Sequence, residues 1–140
     1  MGIHSYLVPA RFLSMLGHFL AALLVFFSYR DNIVVSLRFE YSDDDYDKAE
    51  ASVVAVMVLT FICLAVQATG FFSGFTMFDS SLAMMHCICH IVSSLLLSVV
   101  VIEKWHHHTL WAIFGFFSAV PTVFELFGIL SVAVLNKRRW

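Results

Sequence analysis

The run Leu110 to Leu135, LWAIFGFFSAVPTVFELFGILSVAVL, sets the terms for the whole chain. It exceeds the roughly 20 apolar residues needed to cross a ~30 Å hydrocarbon core, yet it carries Pro121 and, one helical turn later, Glu125. Proline removes one helical hydrogen bond, freeing the carbonyl of Phe117, and a carboxylate in lipid is costly unless neutral or paired. A span with both must press its polar strip against other helices.

The rest of the chain supplies such neighbours. Hydrophobic residues make up 61% of the 140 and charged residues 13%, with a mean hydropathy of +0.89. A soluble domain of that composition could not cover itself with polar surface. The sequence predicts an all-α membrane protein: one domain, 1–140, forming a four-span transmembrane helical bundle with spans at about 10–29, 51–72, 81–102 and 110–135. Residues 30–50 form the only sizeable polar stretch and are expected as an extramembrane loop. Within it, Ile33 to Tyr41 has strand-like composition, and the acidic run Asp43, Asp44, Asp45 and Asp47 is placed to favour the start of the second helix. The short connector from Phe75 to Ser80 predicts that spans two and three form an antiparallel hairpin, and short connectors make the last three spans neighbours.

Net charge of −2 offers no basic field for nucleic acid. The one basic cluster, Lys137, Arg138 and Arg139, follows the last span. Four spans put both termini on one side. Lysine and arginine tie between the sides: Arg11, Lys137, Arg138 and Arg139 on one, Arg30, Arg38, Lys48 and Lys104 on the other. The tight C-terminal cluster tips both termini to the cytoplasm. Arg11 is expected at the membrane interface. The first apolar run is too long for a signal-peptide core and is expected to be retained. Tyr6 occupies the place where a myristoylation signal needs Ser or Thr, the C-terminal NKRRW is no prenylation box, and the sequence holds no Asn-x-Ser/Thr acceptor.

Several residues carry chemistry in principle. His18 lies a third of the way into span one. His86 and His90 share one face of span three, whereas Cys87 and Cys89 between them project elsewhere, so the four cannot readily bind one metal. All three cysteines, including Cys63, lie in apolar runs and read as small buried hydrophobes. His106, His107 and His108 cannot all face one metal from a helix, which makes them a hydrated connector. Gly70 and Gly74, four apart, allow close helix approach, although Gly74 also suits a turn. Glu125 is expected to be protonated or paired with His18, His90, a serine of span three or a group on a partner protein. On that basis Glu125→Gln should be tolerated and Glu125→Leu should cost about 0.6–2 kcal/mol.

The chain resembles the transmembrane protein 107 family over essentially its full length. The matching pieces are Leu7 to Leu13 with His18, Tyr46-Asp47-Lys48, Gly70 to Gly74 with Met77-Phe78, His90, Glu103-Lys104-Trp105, Trp111 with Ile113-Phe114, and Ser118 to Pro121 with Glu125. The resemblance implies a non-catalytic membrane component of the ciliary transition zone, in the Meckel syndrome module or tectonic-like complex. It implies a role in cilium assembly, in localising other transition-zone membrane proteins and in Hedgehog signalling and embryonic patterning.

Candidate contact residues are accordingly Gly70, Gly74, His18, His90, Pro121 and Glu125 within the membrane, and Asp43, Asp44, Asp45, Tyr46 and Asp47 outside it. The expected partners are membrane lipid and transition-zone proteins, with no catalytic residue, cofactor, metal or small-molecule substrate. The rival is a small membrane redox or transport protein using His18, His86, His90 and Glu125, with a bis-histidine haem or metal between spans one and three.

Overall fold

A computed structural model describes residues 4–37, 40–77 and 79–135. Arg38, Phe78 and the basic cluster Lys137, Arg138 and Arg139 lie outside the described residues. Four helical rods emerge: α1 (His4–Ser36), α2 (Asp43–Phe72), α3 (Ser80–Glu103), and a composite fourth span of α4 (Thr109–Phe114), a π-helical turn (Gly115–Ala119) and α5 (Val120–Leu135). All four rods are long and apolar enough to cross a membrane. The chain is therefore a multi-pass membrane protein.

Most of the polar stretch 30–50 is helix and not loop among the described residues. Arg30 to Ser36 continue α1, so the strand-like composition that begins at Ile33 is helical there, and α2 begins at Asp43. The helices simply outrun their apolar cores. Ser42 caps α2: its Oγ accepts the Asp45 N–H at 3.2 Å while the Asp45 carboxylate accepts the Ser42 N–H, a reciprocal capping box. Asp79 caps α3 by accepting the N–H groups of Ser81 and Leu82.

The hairpin expectation fails in one respect. Among the described residues α2 and α3 do not pack on each other; α1 packs on both, and the fourth span packs on both from the other side. The connector from Ser73 to Asp79 is long enough to carry the chain across the bundle diagonal. Strong α1–α3 packing then takes the place of the pairing that chain order suggested.

Buried residues repeat in threes and fours. On α3 they are Ala83, His86, His90, Ser93, Leu97 and Val100, and on α1 they include Arg11, Met15, His18, Ala22 and Val25. This is the heptad-like seam of a helical bundle. Large apolar side chains such as Phe27, Phe72, Phe116 and Leu130 point outward, as lipid requires. Along the seam the interior divides. Ala22, Val25, Ile33, Val53, Val56, Met57, Leu97, Val100, Leu110 and Ile113 fill the half beside the α1–α2 connector with hydrocarbon. The half nearer the termini is polar.

Candidate functional site

That polar half is built from all four rods. Arg11, on the first third of α1, is 1% exposed and lies inside the bundle, not at the interface. Its Nη2 donates to Glu125 Oε2 at 2.8 Å, and its Nη1 donates to the Thr76 carbonyl at 3.0 Å and to Thr76 Oγ1 at 3.3 Å. Thr76 Oγ1 in turn donates a hydrogen bond to Glu125 Oε1. The Phe71 ring lies 5.4 Å from the guanidinium carbon and closes that side. Glu125 is thus paired, as its cost in lipid demands, but through Arg11 and Thr76 and not through His18, His90 or a serine of α3.

Arg11 and Glu125 stand on rods that do not pack together, so the pair bridges the bundle diagonal. Arginine suits this position because its permanently charged planar fork serves Glu125 and Thr76 at once. Gly70 of α2 supplies the room. A Cβ there would run into Glu125 Oε1 and come within 2.8 Å of its Cδ. Of the two uses open to Gly74, the structure shows the turn: with φ +78° and nothing within 4 Å, it turns the chain out of α2.

From Glu125 the polar groups continue into α3. His86 Nε2 lies 3.1 Å from Glu125 Oε2, although not aligned as a hydrogen bond, and the His86 and His90 rings are 5.7 Å apart. His90 Nδ1 and His18 Nδ1 share a hydrogen bond at 3.0 Å, and His18 Nε2 bonds Ser93 Oγ at 2.9 Å. His18, His86, His90 and Glu125 are each 0% exposed. His18 of α1 and His90 of α3 are thus in direct contact inside the bundle.

A second, smaller polar knot surrounds Pro121. Val120 N–H bonds the Gly115 carbonyl, five residues back, so the strain ahead of proline is taken up as a π-helical turn. Gln67 of α2 donates to Thr122 Oγ1 at 2.7 Å and to the Ser118 carbonyl at 3.3 Å, and Thr122 Oγ1 donates to that same carbonyl at 2.6 Å. The polar strip beside Pro121 therefore centres on Ser118, one residue beyond the carbonyl the sequence singled out. Pro121 itself is buried.

The acidic segment stands apart. Asp43, Asp44 and Asp45 occupy the first turn of α2, where they oppose the helix dipole, and Asp44 pairs with Lys48 in the open. Asp47 is exposed, and Tyr46 is half-buried with its ring stacked 6.3 Å from Tyr41. At the same end Tyr29 donates to Glu50, and Trp111 Nε1 donates to Ser52 Oγ at 2.9 Å. Cys63, Cys87 and Cys89 are free and half-buried.

Arg11, Thr76, Gln67 and Thr122 went unrecognised among the contact residues. A signal existed for Arg11: the spacing of Arg11, Met15, His18, Ala22 and Val25 is a continuous seam, which puts the charge on the buried stripe.

Four lipid-facing rods closed around a buried ion pair and a histidine pair define a polytopic membrane protein that is clasped from within. Sequence comparison then gives the family. The TMEM107 profile, described as a transmembrane protein, matches residues 7–129. Transmembrane protein 107 of mouse is 37% identical over 138 residues, covering 99% of both chains, and that of human is 36% identical over the same share. The zebrafish protein of that name is 35% identical over 129 residues, 92% of this chain and 96% of its own. The chain belongs to the transmembrane protein 107 family. No solved structure matches it.

Proposed function

We propose that this chain is a non-catalytic scaffold of the ciliary transition zone, a membrane member of the Meckel syndrome module or tectonic-like complex. In this reading it helps assemble the cilium and localise other transition-zone membrane proteins there, and so supports Hedgehog signalling and embryonic patterning. Family membership is the first support. The observation that carries the reading is the fate of Glu125: held by Arg11 and Thr76 with no exposure, it serves as a fastener between helices and not as a site open to a substrate. Partners then meet lipid-facing side chains and the short polar ends, including Asp43, Asp44, Asp45, Tyr46 and Asp47. Both termini face the cytoplasm.

The rival reading, a redox or transport protein, draws on the continuity of His18, His90, His86 and Glu125. The 3.0 Å contact between the two Nδ1 atoms leaves no space for a haem between His18 and His90. A visible spectrum of the purified protein without a Soret band is expected. The decisive experiment expresses a tagged copy in ciliated cells lacking their own relative. Signal confined to the ciliary base, co-recovery of transition-zone membrane proteins and restored cilia support the scaffold. Spread through the plasma membrane with cilia still missing overturns it.

A further inference from the structure

At the end of the bundle away from the termini, the turn after α3 gathers three imidazoles that the clasp does not use. Lys104 in the left-handed conformation, φ 49°, ends α3 and lets the chain reverse, and Thr109 N–H then bonds the His106 carbonyl at 3.0 Å. Because His106, His107 and His108 occupy this tight turn and no regular helix, their side chains converge. Ring centroids lie 4.6, 4.9 and 4.2 Å apart, and one ring nitrogen from each falls within 4.8 Å of the others. The premise that set these residues aside as a connector, a helical backbone, does not hold here.

His107 is the anchored member. It is 6% exposed, and its Nδ1 bonds Ser36 Oγ at 2.8 Å, at the end of α1. Ser36 Oγ directs its single proton to the Ile33 carbonyl at 3.0 Å, so toward His107 it accepts. Nδ1 therefore carries the ring proton and Nε2 keeps a free lone pair. A metal-binding histidine is usually oriented in this way by a hydrogen bond on its second nitrogen. Beside His107 an open cleft of about 390 Å³, lined by His107, His108 and Ser36 among others, gives water access to the cluster.

We propose that His106, His107 and His108 form a binding site for a divalent transition metal that prefers imidazole, with Zn²⁺ as the working example and a water as fourth ligand. Tetrahedral zinc with Zn–N of about 2.0–2.1 Å brings its nitrogens to roughly 3.3 Å apart. The exposed rings of His106 and His108 have room to close that gap around the fixed His107. Bound metal locks the α3–α4 turn onto the end of α1.

The test uses the full chain in lipid nanodiscs, purified through a tag without histidines, stripped with chelator and titrated with Zn²⁺. One Zn²⁺ per chain is expected, with an X-ray absorption spectrum of a nitrogen and oxygen shell and outer scattering from imidazole rings. His106→Ala with His108→Ala, both exposed positions, should weaken binding at least tenfold while helix content stays unchanged. No saturable binding, full affinity in the double variant, or a sulfur-containing shell would each overturn the site. None of these outcomes bears on the scaffold reading, which is judged by localisation.

Discussion

Arg11 Nη2 and Glu125 Oε2, 114 residues apart in the chain, meet at 2.8 Å across the diagonal of the bundle. The contact changes what substitution of Glu125 should do. With a neutral partner, Glu125→Gln would keep a hydrogen bond and be tolerated. With a buried arginine, Gln leaves a charge uncompensated, and breaking a buried pair from one side costs about 3–5 kcal/mol. Glu125→Gln, Glu125→Leu and Arg11→Met should each lower unfolding stability in mixed micelles by that order. Arg11→Met with Glu125→Leu should recover most of the loss. A double variant no better than the singles would show that the pair does more than satisfy itself.

Gly70 and Gly74 separate two uses of glycine. Gly70→Ala drives a methyl group into the Glu125 carboxylate, so the carboxylate must shift away from Arg11, and overpacking of this kind costs about 1–3 kcal/mol. Gly74→Ala meets no atom but holds a left-handed backbone, at about 1–2 kcal/mol. A thermal-shift double-mutant cycle with Glu125→Ala should relieve the first and leave the second unchanged.

The four rods were legible because apolar runs longer than a bilayer have few alternatives. Their lengths were not, since charge and β-branched residues in Arg30 to Ser36 imitate a loop once a helix leaves the hydrocarbon. The Ser42 to Asp45 spacing was the clue to where α2 begins. Which rod faces which was also hidden: chain order favours α2 on α3, and only the side-chain seams decide for α1 on α3. Glu125 announced that it needed a partner. Arg11 was passed over because an arginine near a helix end suits the interface equally well, and only its step of seven to His18 marks it as interior.

The acidic segment divides into residues with and without a structural duty. Ser42→Ala should cost about 1 kcal/mol as a lost helix cap. Asp43, Asp44 and Asp47 are exposed, and the Asp44–Lys48 pair is solvated, so their combined change to Asn should cost only the solvent-screened helix-dipole contribution of Asp43 and Asp44, about 1 kcal/mol in all. That triple variant is therefore a clean probe of recognition. Loss of partner recovery with the fold retained and the melting curve only slightly lowered is the expected result, and undiminished recovery would remove these acids from the partner surface.

His18 and His90 share one hydrogen bond between two Nδ1 atoms, which requires one donor and one acceptor. Two arrangements satisfy it. If His18 donates, His18 Nε2 accepts from Ser93, and His90 is left with an N–H at Nε2, where no partner stands. If His90 donates, His18 Nε2–H donates to Ser93, and His90 Nε2 is left with only a lone pair. Buried N–H groups without acceptors are rarer than acceptors without donors, so the second arrangement should prevail. Nitrogen-15 NMR of the histidine rings should find the proton of His90 on Nδ1 and that of His18 on Nε2. Ser93→Ala then strands the His18 N–H and should cost about 1–3 kcal/mol. The opposite tautomers, with Ser93→Ala near neutral, would reverse the direction of the bond and place the unpaired donor on His90.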